Sequence, residues 1–219
     1  MRSIRFAYFA VVVMVLAGCE SHYIAELDSA PLPPPLVDPL PFAVGVYYSP
    51  DFRSRETFVD WGTWGVTFKL GPPSVTKFDQ ALKATFETVV PVDSLPAPRI
   101  ANNALAGIIA PEFLSFWQLP PHSCKPPCKF PASIKYAATL YNPSGAKLGD
   151  WSFEGSGQVD PYRVSFNIEK IGGVAASRAI RAAVAKFIRE FRKQPFVKSW
   201  LAANGVGANA RLSRDGNSK

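Results

Sequence analysis

The side chains best suited to chemistry lie in one short stretch, HSCKPPCKF, which contains His122, Cys124 and Cys128. In an oxidising compartment such a close cysteine pair forms a disulfide, which would stiffen a small loop more than it stabilises the fold. A metal site is one alternative, but the stretch offers only three ligands and the only other histidine is His22. Two free thiols are the other alternative. We expect a Cys124–Cys128 disulfide and no bound metal.

Motifs for catalysis are scarce in the rest of the chain. There is no G-x-S-x-G, H-E-x-x-H, phosphate-binding or dinucleotide-binding motif. Two S-x-x-K tetrads begin at Ser74 and Ser144, but neither has the S-D-N or K-T-G companions of acyl-transfer enzymes. The carboxylates are scattered, and their spacing indicates no acid–base pair. We therefore expect no enzyme activity, no catalytic residue and no cofactor.

The first residues have the pattern of an export signal. Arg2 and Arg5 precede an uncharged apolar run over residues 6–16, which is shorter than the ~20 apolar residues of a membrane-spanning helix. The run ends in LAGC at residues 16–19, which resembles the lipobox of bacterial lipoproteins. The resemblance implies cleavage before Cys19 and attachment of diacylglycerol to its thiol. An ordinary signal peptide that ends near a cysteine is the alternative.

The predicted lipid would anchor the protein to a bacterial membrane. Two or three acyl chains hold a protein firmly, at ~0.8 kcal/mol for each buried methylene group. Residue 20 is Glu, and not the Asp that marks inner-membrane retention in the enteric lipoproteins that the signal resembles. We therefore expect an outer-membrane lipoprotein whose domain faces the periplasm.

The chain is basic, with a formal net charge of +7, of which Arg2 and Arg5 leave with the signal. A basic protein of the cell envelope attracts anionic lipids, lipopolysaccharide phosphates or acidic partners. Nucleic acid is a poor candidate because the export signal takes the chain away from it. The expected partners are the membrane, through the lipid anchor, and a protein of the envelope.

Composition divides the chain into four parts. Residues 1–18 are the signal peptide, and residues 19–41 carry the lipidated cysteine and a proline-rich segment. Proline favours an extended tether here, although part of the segment lying along the domain as an edge is the alternative. Residues 42–200 form one globular domain, and residues 201–219 are a small, polar, disordered tail.

Hydrophobic periodicity predicts the elements of this domain. Alternating apolar positions indicate strands in FAVGVYYS, WGVTFKL and GIIAPEFLSFWQL, and a hairpin in ASIKYAATLYNPSGAKLGDWSFEGSGQV. Residues 71–90 read as a helix with Ser74 as N-cap, and residues 174–193 as a basic helix that packs on the sheet or lies on a membrane. The pattern predicts an α+β fold with a single mixed or antiparallel sheet of about four or five strands and two amphipathic helices on one face.

Two tryptophans, Trp61 and Trp64, lie among glycines between two predicted strands. Aromatic side chains in a loop serve as binding hot spots when they are exposed. They also close an open edge of the core, where their large apolar rings are buried. Both interpretations remain open at this level, and the two residues are candidates for partner binding.

The order of these elements behind a lipobox resembles a group of small α/β periplasmic lipoproteins that assist envelope assembly and transport. The group includes the lipopolysaccharide-assembly lipoprotein, the auxiliary lipoproteins of ABC-type lipid transporters and relatives of the curli-secretion lipoprotein domain. The residues that carry the resemblance are LAGC, ATLYNPSGAKLGDW and AASRAIRAAVAKFIREF. It implies a non-catalytic accessory or docking subunit that works through protein or lipid contacts. A tethered regulator of a cell-wall enzyme, or a peptidoglycan-binding lipoprotein, is the alternative.

Overall fold

A computed structural model describes residues 21–28, 30–32, 38–62, 64–95, 105–119, 129–160 and 167–205. The strands are β1 Ser21–Ala25, β2 Leu40–Tyr47, β3 Glu56–Asp60, β4 Trp64–Lys69, β5 Phe86–Val92, β6 Gly107–Gln118, β7 Phe130–Tyr141 and β8 Lys147–Val159. The helices are α1 Pro50–Ser54, α2 Gly71–Thr85, α3 Ile168–Phe191 and α4 Pro195–Ala203. Within these described ranges, no helix is both long enough and apolar enough to cross a membrane.

The larger sheet has five strands in the order β5-β2-β6-β7-β8. Strand β2 is parallel to both β5 and β6, whereas β6, β7 and β8 are antiparallel neighbours, so the sheet is mixed as predicted. The predicted hairpin is present. Its turn is closed by the Asn142 side chain, whose Oδ1 accepts from the Ala146 N–H at 2.8 Å, and Gly145 adopts the positive φ of 89° that the turn requires.

The smaller sheet has three strands in the order β1-β4-β3, with β1 parallel and β3 antiparallel to β4. The prediction of a single sheet was therefore wrong, although the α+β class is confirmed. Two short strands were missed. The five residues of β1 lie in the segment assigned to a tether, and the prolines that motivated this assignment begin only at Pro31. The equally short β3 gives little periodic signal.

The helices number four within the described residues, and not two. The five-residue α1 and the nine-residue α4 each begin at a proline, which suits the first helical turn, but both are too short for a clear apolar stripe. Helix α2 ends at Thr85, and the β-branched run that follows continues as β5 rather than as helix. Ser74 does not cap this helix, because the N-cap is Leu70 and Ser74 lies inside the first turns.

The core lies between the five-stranded sheet and the helices that cover one of its faces. Helix α3 approaches β8 closely because β8 presents glycines to it. A Cβ atom added at Gly155 would lie 2.1 Å from the Ala183 nitrogen, and one at Gly157 would lie 2.1 Å from the Ala175 oxygen. The small side chains of AASRAIRAAVAKF therefore serve helix–sheet contact. This geometry agrees with the prediction that the basic helix packs on the sheet.

Candidate functional site

The segment after β1 is bound to two helices. The Asp28 N–H donates to Ser177 Oγ on α3 at 2.7 Å, and the Leu32 N–H donates to Gln80 Oε1 on α2 at 3.0 Å. Lys77 Nζ on α2 donates to the Ala30 carbonyl. Residues 26–28 and 30–32, which we call the strap, therefore lie along the domain.

This contact corrects the predicted tether over the residues that the structure describes. Residues 19–41 were expected to extend away from the domain, yet Ser21–Ala25 is an edge strand and the strap is hydrogen-bonded to the helices. Further along, Arg192 Nη2 donates to the Asp38 carbonyl at 3.1 Å. The alternative, in which the segment lies along the domain as an edge, describes these parts. The physical reason is that backbone groups of a proline-rich segment still form hydrogen bonds wherever a residue other than proline provides an N–H.

Lys77 is the most deeply buried cation beneath the strap, with 1% of its surface exposed. Burial lowers the pKa of this amine, and the nearby Arg181 lowers it further, whereas Asp28 raises it. Asp28 Oδ2 lies 3.7 Å from Arg181 Nη1, and both side chains are partly exposed. The strap thus crosses a small charged cluster at the surface of the helices.

A groove of about 390 Å³ lies beside this cluster. Its wall is mostly apolar, and two amines, Lys69 and Lys77, border it. The lining residues are Ala25, Leu27, Lys69, Pro72, Pro73, Thr76 and Lys77. Of these two amines, Lys77 already donates to the Ala30 carbonyl, and Lys69 lies at the exposed rim of the groove. The groove is thus a mainly apolar cleft.

The outer face of the three-stranded sheet carries exposed apolar side chains. Ile24 on β1 is 57% exposed and Phe58 on β3 is 47% exposed, and both pair in register with Thr67 of the central strand. The three residues therefore form one row across the sheet. Two large apolar side chains exposed in one row make this face a candidate contact surface.

The two residues predicted for partner binding are not part of this row. Trp61 is only 4% exposed and belongs to the core, which agrees with the alternative that it closes an edge of the core. The side chain of Trp64 lies outside the described residues, as do Cys19, His122, Cys124 and Cys128. The lipidation and disulfide predictions therefore stay predictions.

The two S-x-x-K tetrads have structural contacts. Ser74 Oγ donates to the Leu70 carbonyl at 2.6 Å and lies 2.6 Å from the Tyr136 hydroxyl, deep in the core. Ser144 Oγ donates to Asn142 Oδ1 within the hairpin turn, where Lys147 is paired with Asp150. Both hydroxyls thus have structural partners, Ser74 in the core and Ser144 in the hairpin turn. Over the described residues, no group of three His, Cys, Asp or Glu side chains is placed to hold a metal ion.

The apolar row was missed at the sequence level, although a signal for it exists. SHYIA is a proline-free run with bulky apolar residues. It begins two residues after Cys19 and ends before the first proline. Read separately from the proline-rich stretch, it has the composition of a short strand.

No model of a known protein family matches the chain, and no curated protein matches it. Among solved structures, a DUF330 protein from Xanthomonas campestris matches with a TM-score of 0.47 and 11% identity, over 77% of this chain and 92% of that one. A protein from Caulobacter crescentus, provisionally named a lipoprotein, matches with a TM-score of 0.34 and 13% identity, over 57% and 77%. A hypothetical protein from Chlamydia trachomatis matches with a TM-score of 0.37 and 12% identity, over 68% of this chain and 96% of that one.

Proposed function

We propose that the chain is a lipid-anchored, non-catalytic protein of the bacterial cell envelope. Its α+β domain acts as an accessory or docking subunit of a transport or assembly system, on the periplasmic face of the outer membrane. The anchor is diacylglycerol on Cys19, within the LAGC box at residues 16–19.

The observation that carries this proposal is the short distance along the chain between Cys19 and the fold. Strand β1 begins at Ser21, so only Glu20 separates the predicted lipid attachment point from the sheet. Two residues span at most about 7 Å when fully extended. A lipid at Cys19 would therefore hold the domain against the membrane surface, where it can meet other membrane-bound subunits.

The alternative, a tethered regulator of a cell-wall enzyme or a peptidoglycan-binding lipoprotein, needs reach. A proline-rich spacer could supply it, at ~3.1 Å for each extended residue. However, Ser21–Ala25 is paired in a sheet, and the strap is bound to α2 and α3. The described parts of the segment thus favour the docked subunit over the reaching regulator.

The experiment is cross-linking in the native envelope, followed by mass spectrometry of the captured proteins. It compares the wild-type chain with a variant that has ten Gly/Ser residues inserted between Glu20 and Ser21, which adds a root-mean-square reach of about 17 Å. The control carries the same ten residues after Lys219.

A subunit docked at the membrane is expected to lose its reproducible transport or assembly partner on the insertion at Ser21 and to keep it in the control. Capture of cell-wall synthases or peptidoglycan alone, retained or improved by the insertion, would contradict the proposal and make the regulator the working hypothesis.

A further inference from the structure

Two exposed apolar side chains lie in one row on the three-stranded sheet. Among the described residues, the large apolar side chains that remain exposed are Tyr23, Ile24, Phe58, Leu114, Trp117 and Leu148. Ile24 on β1 and Phe58 on β3 lie on the same face of the smaller sheet, whereas Tyr23 pairs with the buried Val66 and lies on the other face; the remaining three are on β6 and β8. Ile24 and Phe58 are in register with one residue of β4 and so lie in one row, which makes this face a candidate contact surface.

The row of Ile24, Thr67 and Phe58 lies on the face that points away from the core. Val66 and Phe68, the neighbours of Thr67 along β4, are fully buried. Because side chains alternate between the faces of a strand, Thr67 and its two partners point outward. The row therefore crosses all three strands of the outer face, with an apolar side chain on each outer strand and Thr67 between them.

The Phe58 ring lies flat on this face. A Cβ atom added at Gly65 would lie 2.1 Å from Phe58 Cζ, so the ring covers the glycine backbone. Charges border the row: Lys69 lies 3.8 Å from Glu56 at one end, and Asp60 lies at the other. The outer face thus carries one short row with two apolar side chains between charged ends, and these charges are mixed, with no excess of positive charge.

We propose, on the basis of the proposed lipidation of Cys19, that the outer face of the three-stranded sheet lies on the phospholipid bilayer. Ile24 and Phe58 enter the boundary between the head groups and the acyl chains. The bilayer is the occupant because of where the proposed lipid is attached: β1 carries Ile24, and its first residue is two positions from Cys19.

The dimensions agree with this placement. The polar region on each side of a bilayer is roughly 5–8 Å deep, comparable to the ~7 Å that two extended residues span. The anchor and the apolar row therefore reach the same boundary together. Because the border charges are mixed, apolar burial drives the contact, and it should persist at high salt.

The test uses the full-length protein, processed in cells and reconstituted into vesicles of phosphatidylethanolamine and phosphatidylglycerol that contain a photoactivatable carbene on the acyl chain. Intact mass first establishes whether Cys19 carries lipid. Tryptic peptides are then compared for label: residues 56–69 contain Phe58, and residues 148–163 contain the control side chain Leu148.

The expected result is acyl-chain label on residues 56–69 and not on residues 148–163, unchanged at 0.5 M salt, a condition with a Debye length of roughly 4 Å. Ile24→Ser and Phe58→Ser should each lower this label about tenfold, because each removes one large half-exposed apolar side chain from the contact. Leu148→Ser, the matched control, should leave it unchanged.

Two outcomes are distinguishable failures. If Cys19 carries lipid but residues 56–69 take no more label than residues 148–163, the membrane-facing sheet is wrong while the proposed lipoprotein stands. The same holds if a second copy of the chain covers Phe58 and shields residues 56–69 from the acyl-chain label. If Cys19 carries no lipid, the proposed function itself fails, and this inference fails with it.

Discussion

The hydroxyls of Ser74 and Tyr136 form a buried pair whose energetics can be predicted in sign and order of magnitude. Ser74 donates to the Leu70 carbonyl at 2.6 Å, so the Tyr136 O–H must donate to Ser74 Oγ, also at 2.6 Å. Both side chains are buried, and burial raises the pKa of Tyr136. Loss of the pair therefore affects the two hydroxyls differently. The Tyr136 O–H donates only to Ser74 Oγ, whereas the Ser74 O–H donates to the Leu70 carbonyl.

Ser74→Ala leaves the Tyr136 O–H buried without an acceptor, at a cost of about 2 kcal/mol. The better helix propensity of alanine returns about 0.5 kcal/mol, leaving a net loss of about 1.5 kcal/mol. Tyr136→Phe costs less, about 0.5–1 kcal/mol, because Ser74 keeps its bond to the Leu70 carbonyl. The double variant should be more stable than Ser74→Ala alone. Adding Tyr136→Phe to Ser74→Ala removes the orphaned hydroxyl and should regain about 1 kcal/mol.

The assay is urea denaturation of the wild type, both single variants and the double variant, followed by circular dichroism and by tryptophan fluorescence. Equal slopes against urea concentration are needed before the free energies of unfolding are compared. Additive losses, with the double variant less stable than Ser74→Ala, would refute the donor assignment and the reasoning built on it.

Three further predictions follow from the packing. Gly155→Ala should lower the free energy of unfolding by about 3 kcal/mol, because its Cβ meets the α3 backbone at 2.1 Å, whereas Ser156→Ala on the exposed face should change it by less than about 0.5 kcal/mol in the same urea titration. Ser177→Ala removes the acceptor of the Asp28 N–H, so hydrogen exchange at this amide should accelerate about tenfold; an unchanged rate would mean that the strap is held without this bond. The pKa of Lys77 is lowered in the fold from 10.5, so between the two values the unfolded chain binds more protons at this residue, and the contribution of Lys77 to stability should rise with pH. The difference in free energy of unfolding between the wild type and Lys77→Met should rise across that window, because buried tyrosines titrate in both proteins and cancel in the difference, and a difference that falls would contradict the sign.

The parts of the fold that the sequence predicts well are those with long, regular patterns. Strands β7 and β8 alternate over twelve and thirteen residues around a turn with Asn142 and Gly145, so both the pairing and the buried face follow from the pattern. Helix α3 has 24 residues and a continuous apolar stripe, and its expected packing on the sheet agrees with the structure. In both cases local preference and tertiary contact favour the same conformation.

The misses have local causes. Strand β1 lies beside a proline-rich stretch and has only five residues, so composition over a longer window concealed it. Its pairing with β4 depends on a contact between positions about forty residues apart, which no local pattern reveals. Ser74 has the side chain of an N-cap, but Leu70 takes that position and the Ser74 hydroxyl bonds Tyr136, which is distant in sequence. The apolar row became visible only once β1, β3 and β4 were placed side by side.

The measurement that tests the central claim most directly is mass spectrometry of the mature N terminus, on protein purified from membranes. The account predicts that the mature chain begins at Cys19 and carries diacylglycerol on this cysteine, and that Cys19→Ser abolishes both the lipid and the new N terminus. A mature chain that begins at any other residue, or an unmodified Cys19 in membrane-purified protein, would contradict it.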